Sequence, residues 1–311
     1  ERVALLLDPG APFLPLCALA GFMQDTPDPA KSVPGGGMIA GIGFISGVRC
    51  MVVASDSGIE AGAIQARGLE KILRVQELAL ENKLPFVHLV ESAGANLMQY
   101  KVEGFVLGGS LFRNLARLSA AGLPVLTVQH GSGTAGGAYM PGLSDTVIMV
   151  RGRSRAFLAG PPLLKAATGE VATEEELGGA EMHSRISGVT DHMAEDDAQA
   201  LAIARRLVNE LPPMPAPLRD RTAVREPSRP VTDIYGLVPR DARRPMPTRD
   251  VLQCLLDGGQ LSEFKAEYGD TLITGFARIG GWQVGVLANH GVLFADSADK
   301  ATHFIDLCCK R

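Results

Sequence analysis

Short apolar runs alternate with amphipathic stretches along the chain from residue 35 to about residue 211. The apolar runs have the length and composition of buried strands, whereas the amphipathic stretches repeat their apolar residues at helical spacing. Predicted strands occupy residues 38–43, 50–54, 86–90, 123–128 and 146–150, and predicted helices occupy residues 69–82, 110–121 and 194–211. Strands that alternate with helices in this way predict an α/β domain.

Residues 212–247 break this alternation, because they are rich in proline, arginine and aspartate and show little apolar periodicity. Such a composition favours a linker with some docking contacts over a packed element. The chain is therefore predicted to contain one domain over residues 1–212, a linker over residues 213–247 and the beginning of a second domain over residues 248–311.

A sequence repeat connects the two predicted domains. The pattern Ile39-x-Gly41-x-x-x-Ile45-x-Gly47 recurs 234 residues later, beginning at Ile273, without a gap. Chance similarity between two β-hairpins is one explanation. Duplication of a domain is the other, and it predicts a second copy that stops soon after its first helix, before a glycine-rich turn of its own.

The most informative stretch is residues 131–139, Gly-Ser-Gly-Thr-Ala-Gly-Gly-Ala-Tyr, which follows a predicted strand and precedes a predicted short helix. A strand that feeds a glycine-rich turn and then a helix leaves backbone N–H groups without partners. Such groups stabilise a carbonyl oxygen that becomes negative during a reaction. The stretch contains no Cys, His or carboxylate, so proton transfer there would come from elsewhere. The alternative is a turn in which glycine only permits close packing.

A second turn of small residues, at positions 91–96, follows the predicted strand that ends at Val90. Two neighbouring strands that each end in such a turn can direct two N–H groups at one oxygen, as a two-donor oxyanion hole requires. Glu91 also lies in this turn, and a glutamate at the end of a strand is more often a hydrogen-bonded structural residue than a catalytic one.

Composition and charge argue against several other classes. A net charge of −4 gives no reason to expect nucleic acid as a partner. The five cysteines lack the spacing of a zinc site, and His183 and His192 stand apart from other ligand residues, so no metal is expected. The apolar residues 3–23 are interrupted by prolines and are not predicted to span a membrane.

These motifs resemble the crotonase and Clp-protease superfamily, in which two such turns build the oxyanion hole. Ala135 stands where the Clp-type peptidases carry their nucleophilic serine, so a peptidase is not expected. The closer resemblance is to the carboxyltransferase (β) subunit of biotin-dependent acyl-CoA carboxylases, particularly the 3-methylcrotonyl-CoA and geranyl-CoA type. The motifs that carry it lie at residues 34–37, 92–97, 134–139, 160–170, 177–183 and 263–269.

The resemblance implies a crotonase-like α/β fold, a β-β-α superhelical domain that is duplicated, with the second copy truncated. It implies transfer of a carboxyl group from carboxybiotin to an acyl-CoA, such as 3-methylcrotonyl-CoA or geranyl-CoA, through an enolate whose oxygen needs N–H donors. Biotin would be carried by a partner, the biotin carboxylase and biotin carrier α subunit. The subunits would form a homo-oligomer with active sites between them, in the bacterial cytoplasm or the mitochondrial matrix.

The resemblance also implies roles for residues of this sequence. Gly136 and Gly137, with Ala93 or Gly94, would hold a carbonyl oxygen, either that of the thioester or the ureido oxygen of biotin. The resemblance implies a set of residues that contact coenzyme A, namely Lys71, Arg74, Phe264, Lys265 and Tyr268. For Lys71 and Arg74, the alternative is that they lie on a solvated helix face.

Two other functions remain open from the sequence. A crotonase-type hydratase or isomerase would need carboxylates over the Gly136 turn, and an inactive truncated scaffold would still bind coenzyme A. The sequence also departs from the methylcrotonyl-type pattern at Ala93-Gly94, where Gly-Gly is usual, at residues 60–63 and at Gly133. These departures leave the identity of the acyl group open.

Overall fold

A computed structural model of the chain describes residues 1–24, 26–95, 102–211, 221–241 and 243–309. The chain divides into two compact units, Glu1–Met214 and Pro215–Arg311. Each unit combines a sheet with helices, so the predicted α/β class is confirmed. No helix in the described ranges is long and apolar enough to cross a membrane.

The first unit is built on one sheet of eight strands. The strands are β1 (Leu14–Pro15), β2 (Met38–Ile45), β3 (Val48–Ser55), β4 (Phe86–Ser92), β5 (Val125–Thr134), β6 (Thr146–Val150), β7 (Arg155–Phe157) and β8 (His192–Ala194). Their order is β1-β2-β3-β4-β5-β6-β8, and β7 pairs with the last residues of β5. From β3 onward neighbouring strands run parallel, so the carboxyl ends of β4 and β5 lie side by side.

Helices cover both faces of this sheet. They are α1 (Arg2–Leu6), α2 (Ala66–Glu81), α3 (Val102–Ala120), α4 (Gly136–Gly142), α5 (Pro161–Thr168), α6 (Glu174–Gly178), α7 (Ala180–Met182) and α8 (Asp197–Asn209). A 3-10 turn, Glu60–Gly62, precedes α2, and a π turn, His183–Ser187, follows α7.

Two hydrophobic cores separate the sheet from its helices. One lies between the strands and α1 with α8, and the other lies between the strands and α2 with α3. Val52 belongs to the first core and its neighbour Val53 to the second, because successive strand residues point to opposite faces. Strands that are buried on both faces are apolar at nearly every position, which is why they are recognisable as continuous runs in the sequence.

The second unit has a sheet of three strands in the order β11-β10-β9. Its elements are a 3-10 turn (Val231–Asp233), α9 (Ile234–Leu237), α10 (Thr248–Gln253), β9 (Leu261–Glu263), β10 (Leu272–Ile279), β11 (Trp282–Asn289) and α11 (Ala295–Cys309). Part of the predicted linker is hydrogen-bonded into this unit, since the N–H of Thr222 donates to Gly281 O at 3.0 Å. The predicted boundary at residues 212–213 lies outside the described ranges.

The hairpins of the two units pair in the same register. Ile39 lies opposite Ala54 in the first hairpin, and Ile273 lies opposite Ala288 in the second, each 234 positions later. This agreement supports the duplication that the sequence repeat suggests, and duplication remains a prediction.

A buried lysine recurs in the helix after each hairpin. Lys71 is the sixth residue of α2 and Lys300 is the sixth residue of α11. Lys71 donates to Gly35 O at 3.2 Å, and Lys300 donates to Gly269 O at 3.4 Å. Gly35 and Gly269 are 234 positions apart, as in the repeat, but the two lysines are 229 positions apart, so a lysine contacts the corresponding glycine in both units without occupying the corresponding position.

Candidate functional site

The glycine-rich stretch begins as strand and not as a turn. The sequence predicted a turn over residues 131–139, but β5 continues to Thr134. The reason is pairing on both sides: Gly133 lies opposite Ser92 of β4 and opposite Ala156 of β7. The turn is therefore confined to Ala135, and α4 begins at the next residue.

Ala135 makes this turn with an uncommon backbone conformation, φ 50° and ψ −116°. A positive φ is unfavourable for a residue with a Cβ atom, and such conformations are found most often at functional sites. The surrounding structure holds it in place, since the N–H of Ala135 donates to Phe157 O at 3.1 Å. This conformation of Ala135 allows the chain to pass from strand to helix within one residue.

The free energy of unfolding is expected to depend on whether the residue at position 135 has a Cβ atom and whether that atom is branched. Ala135→Gly should leave the free energy of unfolding unchanged or raise it, whereas Ala135→Val should lower it by about 1–3 kcal/mol, because β-branching adds to a conformation that is already strained. Urea denaturation of both variants measures the two effects. Equal destabilisation by both would show that Ala135 is not strained.

Two backbone N–H groups after this turn are free. Within the described part of the chain, the N–H groups of Gly136 and Gly137 have no hydrogen-bond acceptor. They are the first groups of α4, where intrahelical partners do not exist. Gly137 also packs closely against the neighbouring turn, because a Cβ on this residue would lie 2.5 Å from Ser92 O. This contact explains why position 137 is a glycine.

The first turn is arranged differently from the prediction. The N–H of Ala93 donates to Ala61 O at 3.1 Å, and the N–H of Gly94 donates to Ser92 Oγ at 3.2 Å. Both predicted donors therefore already have acceptors, so this arrangement does not support Ala93 or Gly94 as the partner of the second turn. Asn96 and Leu97 of the same motif lie outside the described residues.

Ser92 supports both turns, a role that the sequence analysis missed. Its fully buried hydroxyl donates to Gly62 O at 2.8 Å and accepts the N–H of Gly94. Its carbonyl oxygen is the atom against which Gly137 packs. A serine at the end of a buried strand gives no distinguishing sequence signal, which is why only the structure reveals it.

The candidates for coenzyme A binding occupy different environments. Lys71 is only 3% exposed, and its Nζ donates to the carbonyl oxygens of Gly35 and Met38, so it supports a turn and does not face a ligand. Burial also lowers the pKa of this amine. Arg74 lies on the helix surface in an ion pair with Glu77 at 3.1 Å, and it remains a prediction.

The remaining three candidates lie in the second unit. The Lys265 ammonium lies 5.2 Å from the ring centre of Tyr268 and 5.7 Å from that of Phe264. Phe264 also packs against Phe304 of α11, with ring centres 5.6 Å apart. Lys265 and Tyr268 line a surface depression, and their role in binding coenzyme A is still a prediction.

A network of charged and polar side chains connects β4 and β5 with α1 and α8. Arg2 donates to Glu91 Oε2 at 2.7 Å and to Asp197 Oδ2 at 3.1 Å, and Arg153 donates to Asp197 at 3.1 Å. His130 Nδ1 lies 2.7 Å from Asp197 Oδ1. Burial lowers the pKa of His130, against the effect of Asp197, so the imidazole is neutral near pH 7 and Nδ1 donates to the carboxylate. Despite the cost of partial burial, the pKa of Asp197 is lowered by its hydrogen bond to His130 and by the arginines.

An apolar cavity of about 610 Å³ borders α4. Its wall includes Ala138 and Gly142 from α4, and the other wall residues are mainly apolar side chains of the segment around α5. The cavity therefore begins two residues from Gly136, on the same helix as the free N–H groups.

No group of three or more His, Cys, Asp or Glu residues in the described ranges is arranged to hold a metal ion. His183, one of the two histidines considered from the sequence, is hydrogen-bonded to Ala156 O and to Ser187 Oγ, each at 2.7 Å. Its partners give it a structural role.

Comparison with known proteins identifies the family. Residues 1–311 match the carboxyl transferase domain family, and the chain belongs to that family. It is 47% identical to the probable biotin-dependent acyl-coenzyme A carboxylase beta2 subunit of Mycobacterium tuberculosis, over 99% of this chain and 57% of that protein. It is 46% identical to the mitochondrial methylcrotonoyl-CoA carboxylase beta chain of Dictyostelium discoideum, over 100% of this chain and 53% of that protein.

Solved structures agree with this assignment. The β subunit of geranyl-CoA carboxylase from P. aeruginosa superposes with a TM-score of 0.84 at 48% identity, covering 99% of this chain and 57% of that one. The transcarboxylase 12S core, a hexamer solved with methylmalonyl-coenzyme A, has a TM-score of 0.63 at 32% identity, covering 99% of this chain and 61% of that one. The predicted family and crotonase-like fold are confirmed. The chain spans little more than half the length of these relatives.

Proposed function

We propose that this chain is part of a carboxyltransferase that moves a carboxyl group from carboxybiotin to an acyl-CoA. The observation that carries the proposal is the pair of free N–H groups at Gly136 and Gly137, in a turn without an acid or base of its own. Such a pair suits a reaction in which a substrate carbonyl oxygen gains negative charge. The base that accepts the proton would then come from the other substrate and not from the turn. The names of relatives as biotin-dependent, methylcrotonoyl-CoA and geranyl-CoA carboxylases support the same reaction.

The protein contributes charge stabilisation and positioning. When bound, carboxybiotin would supply the carboxyl group as CO2 and, in the ureido nitrogen from which CO2 leaves, a base for the acidic proton of the thioester. The N–H groups of Gly136 and Gly137 donate to the thioester oxygen as it becomes an enolate oxygen, and the enolate carbon then forms the new bond to CO2. We assign the thioester oxygen to these two donors in preference to the ureido oxygen of biotin.

The acyl chain is assigned to the apolar cavity beside α4, because that cavity begins on the helix that carries the two donors. A volume of about 610 Å³ is within the range of small-molecule sites and suits a branched or unsaturated hydrocarbon. The choice between a methylcrotonyl and a geranyl group then depends on how deep the cavity is.

Gly142→Leu is expected to shorten this cavity. No atom lies within 4 Å of a Cβ built at Gly142, so the leucine fits the helix and its remaining atoms extend along the cavity wall. We expect the kcat/KM for geranyl-CoA to fall about tenfold more than that for 3-methylcrotonyl-CoA, since each methylene excluded from a pocket changes specificity by about 10-fold or more. An equal change for both substrates would place the acyl chain elsewhere.

Biotin is proposed to be carried by a partner, the biotin carboxylase and biotin carrier α subunit. The protein is also proposed to form a homo-oligomer. A cytoplasmic location in a bacterium, or a mitochondrial matrix location in a eukaryote, is proposed on the same grounds. The mitochondrial relative and the hexameric transcarboxylase core support these proposals.

The function is tested with the intact protein by measuring carboxyl transfer from a carboxylated acyl-CoA to free biotin. Carboxybiotin formation that depends on both substrates is the expected result. Hydration or isomerisation of an enoyl-CoA without biotin would favour the crotonase-type alternative. Coenzyme A binding with neither activity would favour an inactive scaffold.

A further inference from the structure

The pairing of β4 with β5 is interrupted shortly before the two turns. Val90 lies opposite Gln129, but the next paired residue of β4, Ser92, lies opposite Gly133. One residue of β4 therefore faces three residues of β5, which is a bulge of the kind that redirects chains next to active sites. The single residue is Glu91, and the first of the three is His130.

Side chains connect the strands across this bulge. Glu91 binds Arg2, Arg2 binds Asp197, and Asp197 binds His130. Glu91 also touches the other strand, since a Cβ on Gly131 would lie 2.5 Å from Glu91 Oε1. Glu91 directly precedes Ser92, and His130 lies in β5 five residues before the turn at Ala135, so the network holds the strand segments that lead into both turns.

The positive and negative charges of the network balance one another. Arg2 and Arg153 balance Glu91 and Asp197, and His130 is neutral. His130 is 0% exposed, and its Nε2 has no hydrogen-bond partner within the described residues. A proton on this nitrogen would place an unbalanced charge inside β5, in the strand segment that leads to the turn at Ala135.

We propose that Asp197 is a positioning residue for the oxyanion site, acting through Arg2 on Glu91 and through His130 on the glycine-rich turn. The inference rests on the proposed function, because it concerns the same pair of N–H groups. Asp197 lies on α8 and does not touch the reacting atoms. Asp197 acts on the site through β4 and β5, which carry Glu91 and His130. It also sets the pH below which the site loses its geometry.

The pH dependence has a definite sign. The groups that face His130 are Asp197, which favours its protonation, Glu91, which does so more weakly, and Arg2, which opposes it. Burial holds the pKa of His130 below its ordinary value, so the site is intact at neutral pH and is disturbed only as the pH falls below about 6.5. Removing the Asp197 charge should lower the pKa of His130 further and move the acid limb of kcat to lower pH.

The experiment compares Asp197→Asn with Glu195→Gln in the intact protein, using the transfer of carboxyl to free biotin. Glu195 lies two positions before Asp197 in the chain and forms an exposed ion pair of 3.0 Å with Arg151. We expect Asp197→Asn to lower kcat by about 10- to 100-fold, as a small misplacement of catalytic groups does, with the KM for acyl-CoA changed less than threefold. We expect its acid limb to lie at lower pH than that of wild type, whereas Glu195→Gln should match wild type in both respects.

Glu91→Gln provides a second variant if Asp197→Asn does not fold, since it keeps the shape of the side chain and removes one ion pair. It should lower kcat with little change in KM. Wild-type kcat for both Asp197→Asn and Glu91→Gln, or an unshifted acid limb in a folded Asp197→Asn protein, would overturn the inference. Absence of activity in wild type would instead contradict the proposed function, so the two failures are distinguishable.

Discussion

Gly137→Ala is expected to lower the kcat of carboxyl transfer by about 100- to 1,000-fold, the loss that follows removal of an oxyanion donor. A Cβ at this position would lie 2.5 Å from Ser92 O and 3.2 Å from Ser92 Cβ. Neither atom can retreat, because Ser92 is fully buried and bonded to Gly62 O. The start of α4 must therefore move, and its two free N–H groups move with it. Steady-state kinetics with free biotin measures the loss.

Gly109→Ala is the matched control for this prediction. Gly109 lies within α3, and nothing is within 4 Å of a Cβ built there, so the alanine should leave kcat unchanged and slightly favour the helix. Thermal unfolding of both variants separates lost catalysis from lost folding. Normal turnover by a folded Gly137→Ala protein would contradict the oxyanion assignment.

Lys71→Met is expected to lower the free energy of unfolding by about 1–3 kcal/mol, because it removes the ammonium donor to the buried Met38 O and to the partly buried Gly35 O, which keeps only the N–H of Met38. Arg74→Met, three residues along the same helix, should change it by less than about 0.5 kcal/mol, since that arginine is exposed in a surface ion pair. Chemical denaturation measures both values.

The same two variants test coenzyme A binding. The position of Lys71 predicts a KM for acyl-CoA within about twofold of wild type in Lys71→Met, whereas the coenzyme A contact predicted for Arg74 implies a higher KM in Arg74→Met, since coenzyme A carries phosphates that an arginine can bind. A stable Lys71→Met protein with a raised KM would restore Lys71 as a ligand contact.

The sequence was sufficient to predict the central strands and helices, because β3, β4, β5 and β6 are buried on both faces and each contains a run of mainly apolar residues. It was not sufficient to place the end of β5. Glycines at 131 and 133 suggest a turn, but pairing with β4 and β7 keeps them in the strand and leaves the turn to Ala135. The strands β7 and β8 were missed because three residues are too few to show a pattern.

The candidate site was predictable where it consists of contiguous residues and not where it depends on tertiary contacts. Gly136 and Gly137 were identified from their motif, and the structure leaves their N–H groups free. The acceptor of the Ala93 N–H, Ala61 O, belongs to a segment that folds back onto the turn, and the acceptor of the Gly94 N–H is the side chain of Ser92. Arg2, Glu91, His130 and Asp197 are separated by up to 195 residues, so no local pattern could connect them.

The most direct test of this account is the infrared carbonyl band of an acyl-CoA labelled with 13C at the thioester, bound to the intact protein. Donation by Gly136 and Gly137 polarises this carbonyl, so the band is predicted to move to lower frequency on binding in wild type and in Gly109→Ala. In Gly137→Ala it should return toward its position in water. A band that does not move in wild type, with binding confirmed by titration, would contradict the assignment of the thioester oxygen to the two free N–H groups.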